Sequence, residues 1–442
     1  VLSVPSNMKR KPYPKYKPSG VAWLGDVPEH WAAQGVKFCY SIQLGKMLQP
    51  EPASPTDEET LYLKSQHVQW GYVRVADLPT MWTNKKERRQ CAVKDGDLLV
   101  CEGGDVGRAA VVRDAPDGTI IQNALHRVRP QGENENGFLL YVLAHAESQG
   151  WFEIICNKST IAHFTVDKFG ALGVALPTPA EQRAIATFLD RETGRIDTLI
   201  AKKRELVERL KEKRTALISH TVTHGLPPEA AKKAGLPVNP PFKPSGIEWL
   251  GDIPKHWDVM ALKWRSRCRS GDAIATDDVN PELTPERGVP VIGGNGVMGY
   301  CDSSNCEHPV LVIGRVGALC GNVHFIKPPA WITDNALVMC TDAATFSQKY
   351  LAAVLRTRNL NDLADKTAQP LITGTRIRNE RIPVPALPEQ AAIAAYLAAE
   401  TTKLDTLATK IEEAVERLRE FRAALITAAV TGKIDVRNEV AS

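Results

Sequence analysis

The sequence has no CxxC pair, no apolar run of membrane-spanning length and almost no net charge. Its nine cysteines are an odd number without paired spacing, so buried, reduced thiols are expected rather than a disulfide framework. The tightest group, Cys301, Cys306 and His308 in "CDSSNCEH", is poorly spaced for zinc and lacks a second ligand pair, so no metal site is expected. No segment approaches the ~20 apolar residues of a bilayer span, and "VLSVPSNMKRKPYPKYKPSG" lacks an apolar signal core. A cytoplasmic chain without membrane contact is expected. Lys and Arg number 55 against 51 Asp and Glu, a formal charge of +4, too small to announce a nucleic-acid binder, so any such activity must reside in local clusters. Also missing are a glycine-rich loop after a strand, which a methyl donor would need, and a paired-carboxylate nuclease core with its lysine. What is present is an ordinary soluble composition, 43% hydrophobic and 24% charged, over 442 residues. That length implies two or more domains.

One stretch argues for catalysis. "NPPF" at residues 239–242 spells the loop signature of adenine amino-methyltransferases, in which an Asn and a proline carbonyl hold the exocyclic amine of an extruded base. Internal repetition answers it. "KPSGVAWLGDVPEHW" at residues 17–31 returns as "KPSGIEWLGDIPKHW" at 243–257, 226 positions on. "PAEQRAIATFLDRETGRIDTLI" returns near the C-terminus with Glu181 matched to Glu389, 208 positions on. Through the first offset "NPPF" aligns with "YPKY" at residues 13–16, which keeps extended proline character and loses the Asn. "HGLPPEAAKKAGLPV" precedes it where a buried strand would be required. A proline-rich linker is the expected reading.

The repeat ends each half in a long helix. Pro179 or Pro388 occupies the first turn, Glu181 or Glu389 follows, and Gly225 or Gly432 closes the pattern. In the second copy Leu404, Leu407, Ile411, Ala414, Leu418, Phe421 and Leu425 alternate steps of three and four, a coiled-coil seam. The first copy keeps Ile196, Leu199, Leu206, Leu210 and Leu217, interrupted by Lys203 and Lys213. Pairing of the two helices with each other is expected; the alternative lays each on its own domain. The expected organisation is residues 1–178, an N-terminal segment and first domain; 179–225, a spacer helix; 226–242, a Pro-rich linker; 243–386, a second domain; and 387–442, a second helix and tail.

The intervening stretches alternate β-branched residues with Gly and Asn breaks, "DGDLLVC", "TIIQNALHRVRP", "HPVLVIGRVG" and "AWITDNALVMC", with helical patches between them. Each half is therefore read as a β-rich α+β domain. Weaker matches pair "GDVGRAAVV" with "GRVGALCGNV" and Asn123 with Asn335. Neither domain is basic overall, but its cations cluster: Lys85, Lys86, Arg88 and Arg89; Lys263, Arg265, Arg267 and Arg269; Arg376, Arg378 and Arg381. Lys and Arg neutralise phosphates, and Arg also reads base edges; a solvated face is the competing explanation for each. Glycine-flanked Arg108 and Arg315 could likewise approach phosphate, or merely turn a hairpin.

"SGVAWLGDVPEHW", "SGIEWLGDIPKHW", "STIAHFTVDKFGALGVALPTPAEQ" at residues 159–182, "WITDNALV" at 331–338 and "AQPLITGTRIRNERIPVPALPEQ" at 368–390 resemble the specificity subunits of type I restriction-modification enzymes. The resemblance spans nearly the whole chain. It implies an α+β fold with two target-recognition domains in tandem, separated by two long helices paired as an antiparallel coiled coil. It further implies a non-catalytic subunit that binds double-stranded DNA, each domain reading half of a split, asymmetric site. Two adenine methyltransferase subunits would dock on the helices and restriction motor subunits would join them. S-adenosylmethionine, ATP and Mg would belong to those partners, with no cofactor on this chain. The resemblance puts Gln369, Leu371, Thr373 and Gly374 near DNA, with Ser159, Thr160 and His163 in the first copy, which lacks the Gln-Pro pair. The chain acting alone as a methyltransferase, and a coiled-coil scaffold without DNA, are the alternatives.

Overall fold

A computed structural model describes residues 11–156, 163–365 and 369–439. Two compact units divide the chain: unit 1 is Val1–Arg204 with Glu413–Ser442, and unit 2 is Glu205–Glu412.

Both units build one α+β plan. In unit 1 a four-stranded antiparallel sheet runs in the order Ala109–Val111, Leu98–Cys101, Leu125–Pro130, Tyr40–Leu44. Unit 2 repeats it as Val323–Ile326, Val310–Gly314, Ala336–Thr341, Ser266–Ser270. The inner strands are buried on both faces, which explains their continuous apolar runs. Side chains alternate across a strand, so Leu98 and Val100 pack under the helix Asn136–Ser148 with Phe138 and Leu139, while Leu99 and Cys101 meet Tyr62, Leu63 and Ile120 of a smaller three-stranded sheet. In unit 2, Leu311 and Ile313 pack with Tyr350 and Leu351, and Val310 and Val312 with Ile292 and Ile332.

The repeated element "KPSG…HW" forms a short antiparallel pair, Tyr16–Pro18 with Asp26–Pro28 and Phe242–Pro244 with Asp252–Pro254. It ends in a fully buried tryptophan, Trp31 or Trp257. In unit 1 this element grips the start of the first long helix. Tyr13 donates its hydroxyl to Glu181 Oε1 at 2.5 Å, Trp31 Nε1 donates to the same oxygen at 3.2 Å, and His30 Nε2 lies 2.9 Å from Oε2. Burial, then the carboxylate beside it, holds the Tyr13 hydroxyl far above the usual tyrosine range. In unit 2 Glu389 keeps His256 at 3.0 Å, but Trp257 Nε1 has no partner among the described residues and Asn239 stands in the place of Tyr13.

The long helices run Pro179–His224 and Leu387–Val430, and the glycines at their ends have left-handed φ, +87° at Gly225 and +67° at Gly432. Within each unit their segments are antiparallel. In unit 1 Arg191 meets Glu439 and Asp197 meets Arg422 at 3.0 Å. In unit 2 Val207 and Leu210 pack with Ile411, and Arg214 meets Asp405 at 2.9 Å. The seam differs from the sequence pattern. Ile196, Ile200, Val207 and Leu210 are buried, whereas the expected seam residues Leu199, Leu206 and Leu407 are 43%, 46% and 46% exposed. Apolar residues stand side by side at 199–200 and 206–207, so spacing alone fits either face; packing selects the β-branched member of each pair.

Among the described residues no helix is long and apolar enough to cross a membrane, and no group of three ligands could hold a metal. Cys301 and Cys306 are buried thiols donating to the carbonyls of Ser303 and His308.

Candidate nucleic-acid interface

In unit 2 four loops interlock at one rim. The strand Val310–Gly314 ends beneath Gly294, whose carbonyl leaves no room for a side chain on Gly314. Arg315 N donates to Asn335 O at 3.1 Å, Ile372 N to Arg315 O at 2.9 Å, and Gly317 N to Pro370 O at 2.9 Å. Arg315, Asn335, Gln369, Leu371 and Thr373, scattered between positions 315 and 373, are thereby gathered. Thr373 caps the helix Gly374–Asn379 by accepting from Arg376 N, and Gly374 lies so close to Cys268 that a Cβ would sit 3.0 Å from its sulfur.

The two basic clusters of this unit meet along the edge strand Ser266–Ser270. Arg378 donates to Lys263 O at 3.2 Å, while Arg376 is held by Leu363 O and Asp365, the latter at 2.7 Å. Cys268 faces the short helix, so Arg267 and Arg269, one step away on either side, face away from it. Arg265 pairs loosely with Asp342 at 3.6 Å, and Arg269 with Asp272 at 3.9 Å. Arg267 is exposed with no partner among the described residues.

The first basic cluster lies on the helix Lys85–Cys91, which starts on a capping box between Asn84 and Glu87. Glu87 also binds Lys46 at 2.7 Å, a largely buried cation the sequence reading missed. The helix sits beside the edge strand Tyr40–Leu44, where Gln90 reaches Gln43. Its four cations separate by role. Arg88 donates to Thr83 O at 2.9 Å and Glu58 at 3.0 Å; Lys85, Lys86 and Arg89 are exposed without partners among the described residues. Alanine at any one of those three is expected to weaken binding to all DNA sequences and lower the salt slope by about one unit. Arg88→Ala is instead expected to leave the slope unchanged and cost about 1 kcal/mol of stability. Salt titration of binding and thermal unfolding measure the two; an unchanged slope assigns a residue to a solvated face.

Arg108 is tied back onto the protein, donating to Ser65 O at 3.0 Å and pairing with Asp105 of its own loop. Gly107 is required by packing, since a Cβ there would run into the Phe152 ring, whereas Gly104, at φ +77°, is open. Ser159 and Thr160 lie outside the described residues. His163 Nδ1 lies 3.0 Å from both carboxylate oxygens of Glu102.

The backbone corrects the alignment of the halves. In unit 1 Phe164 N donates to Glu102 O and Glu102 N to Ala124 O, reproducing the bonds made through Arg315. Glu102, not the Asp105 that the string match sets opposite it, is therefore the counterpart of Arg315, and Ala124, not Asn123, that of Asn335. The sheet register agrees, pairing His126 with Leu44 in one unit and Leu337 with Ser270 in the other. The sequence match was drawn to the glycines, but the loop from Cys101 to Gly107 is one residue shorter than that from Gly314 to Gly321.

Two further residues escaped the sequence reading. Phe38 and Trp264, 226 positions apart, are 66% and 70% exposed, and each lies under its neighbouring lysine, Lys37 or Lys263. The matching Lys-aromatic pairs at one repeat offset were the available signal.

"NPPF" is no catalytic loop. Asn239 is exposed at φ +50°, the six-residue helix Pro228–Lys233 precedes it in place of a buried strand, and Phe242 opens the Phe242–Pro244 strand with its ring 5.4 Å from that of His224.

The model of the type I restriction modification DNA specificity domain matches twice, at residues 69–209 and 254–417. The type I restriction enzyme EcoprrI specificity subunit of Escherichia coli is 32% identical over 147 residues, 33% of this chain and 35% of that protein. The MjaVIII specificity subunit of Methanocaldococcus jannaschii is 23% identical over 93% of this chain and 95% of its own. Among solved structures, a chain from work on the assembly and conformational transition of a type I restriction-modification system superposes with TM-score 0.70 at 16% identity, covering 92% of this chain and 99% of that one. The HsdS subunit from Thermoanaerobacter tengcongensis gives 0.53 at 16%, over 92% and 98%. With two tandem family matches across most of its length and the same fold in both units, the chain belongs to the type I restriction-modification DNA specificity family.

Proposed function

We propose that this chain is the DNA-reading, non-catalytic subunit of a type I restriction-modification complex, and that each unit reads one half of a split, asymmetric site. The observation that carries the reading is duplication: two units on one plan present the same interlocked loops beside an edge strand, with different side chains. Identical folds with different rims fit two different half-sites. Two methyltransferase subunits dock on the helices, where Leu199, Leu206 and Leu407 are left exposed, and restriction subunits join them. S-adenosylmethionine, ATP and Mg belong to those partners, with no cofactor on this chain. Arg267 and the exposed Lys85, Lys86 and Arg89, without partners among the described residues, supply the cations that such a reading needs.

Co-expression with its methyltransferase partner, followed by mapping of modified adenines in the host genome, tests the reading. One bipartite motif is expected. A contiguous motif, or the same motif without this chain, would overturn it. In that assay Asn239→Ala is expected to stay within a few-fold of wild type. A loss of several orders of magnitude with assembly intact would restore a catalytic role to Asn239.

A further inference from the structure

The structural alignment sets Arg315 and Glu102, residues of opposite charge, at equivalent positions on the two rims. Arg315 and Glu102 each follow the inner strand of their sheet, and each is fixed by the same two backbone bonds, 2.9 and 3.1 Å at Arg315 and 2.7 and 2.9 Å at Glu102. Neither backbone can shift without parting the interlocked loops. The side chains are thus presented from equivalent, rigid points. Arg315 is half-buried, and its guanidinium makes one contact among the described residues, a 3.3 Å bond from Nη1 to Ser270 Oγ. With no carboxylate bound to it, most of its donor fork remains available.

Glu102 presents the opposite chemistry. A carboxylate at a DNA-facing rim is repelled by phosphate, so it is out of place as a backbone contact. It is suited to accept from an exocyclic amine on a base edge. His163 Nδ1 at 3.0 Å fixes its orientation, and Gly103 beneath leaves the ring 3.8 Å of clearance from a would-be Cβ. Arginine pairs bidentately with guanine O6 and N7, and glutamate accepts from cytosine N4.

Resting on the proposed function, we propose that this shared position determines specificity in both units: Arg315 reads a guanine in the half-site of unit 2, and Glu102, oriented by His163, accepts from a cytosine amine in the half-site of unit 1. The reading assigns a base to a residue in each half and makes the two assignments independent.

The test maps modified adenines for R315A and E102Q co-expressed with the methyltransferase partner. R315A is expected to make one guanine degenerate in one half-site, lowering discrimination there roughly 5- to 150-fold, with the other half-site and the gap unchanged. E102Q, whose amide can donate to adenine N7 while accepting from N6, is expected to admit adenine at one cytosine of the opposite half. A wild-type complex that modifies no bipartite site defeats the functional reading itself. If wild type does modify one and either variant keeps both half-sites intact, or relaxes both together, the assignment is overturned. Should R315A assemble but modify nothing, the salt dependence of DNA binding decides. Affinity lost for every sequence with a slope lower by about one makes Arg315 a phosphate contact and overturns the proposal. Affinity lost for the cognate site alone, at unchanged slope, supports it.

Discussion

Replacing Glu181 with alanine is expected to lower the unfolding free energy of unit 1 by about 3–5 kcal/mol, the range for a buried group whose partners are left unsatisfied. The carboxylate is buried at the start of a long helix, where the unpaired amides favour negative charge. Its removal strands the Tyr13 hydroxyl and the Trp31 indole, neither of which has solvent to turn to. The same change at Glu389 is expected to cost only about 1–2 kcal/mol, because Trp257 Nε1 already lacks a partner among the described residues and Asn239 supplies no hydroxyl. Calorimetric unfolding of the full chain, with hydrogen exchange at residues 13–31 and 239–257 to say which unit opens, measures both. Equal losses would mean that the helix terminus, common to both, outweighs the side-chain donors.

Gly271→Ala is expected to cost about 2–4 kcal/mol, near the upper range for overpacking, and to erase recognition by unit 2 alone. Gly271 follows the edge strand, and a Cβ there would run into the carbonyls of Ile332 and Thr333. Neither carbonyl can retreat. Ile332 pairs with Ile292, Thr333 N donates to Ile292 O, and two residues on, Asn335 O holds Arg315. Gly45 makes the same approach to Ile121 and Gln122, 226 positions earlier, so Gly45→Ala should fail in the same way in unit 1. Gly288→Ala, with nothing within 4 Å and no left-handed φ, is the control and should stay within about 0.5 kcal/mol of wild type. Unfolding curves and modification maps report on the two effects. A Gly271→Ala chain that unfolds and modifies like the control would show that the crossing can open without cost.

Features written in local chemistry were legible before the fold. Pro179, Glu181 and Gly225 marked a helix whose ends fell within a residue or two of Pro179–His224, since capping and left-handed glycine are properties of a few neighbouring residues. The repeat exposed "NPPF" as a displaced "YPKY" without any structure. What stayed hidden depends on loops closing over distance. Arg315 resembled Arg108 because glycines surround both, yet backbone bonds to residue 124 or 335, and to 164 or 372, decide which residues correspond. Likewise "KKERR" reads as one patch, but Glu58, 30 positions upstream of Arg88, removes that cation from it. Leu199 and Ile200 are equally apolar in the sequence, and only the partner helix chooses between them.

The grip on the C-terminal end of the second helix bears on the order in which the chain can fold. Gly432 lies against Pro28 and Trp31, its carbonyl accepts from the Tyr16 hydroxyl, and Asp435 N donates to Lys11 O. Unit 2 is one unbroken stretch, Glu205–Glu412, and its residues have all been synthesised before the segment that completes unit 1 exists. During synthesis the first unit to begin is therefore the last to close. Until residues 425–436 arrive, the apolar cluster around Trp31 lacks part of its packing, an exposure of the kind that invites aggregation.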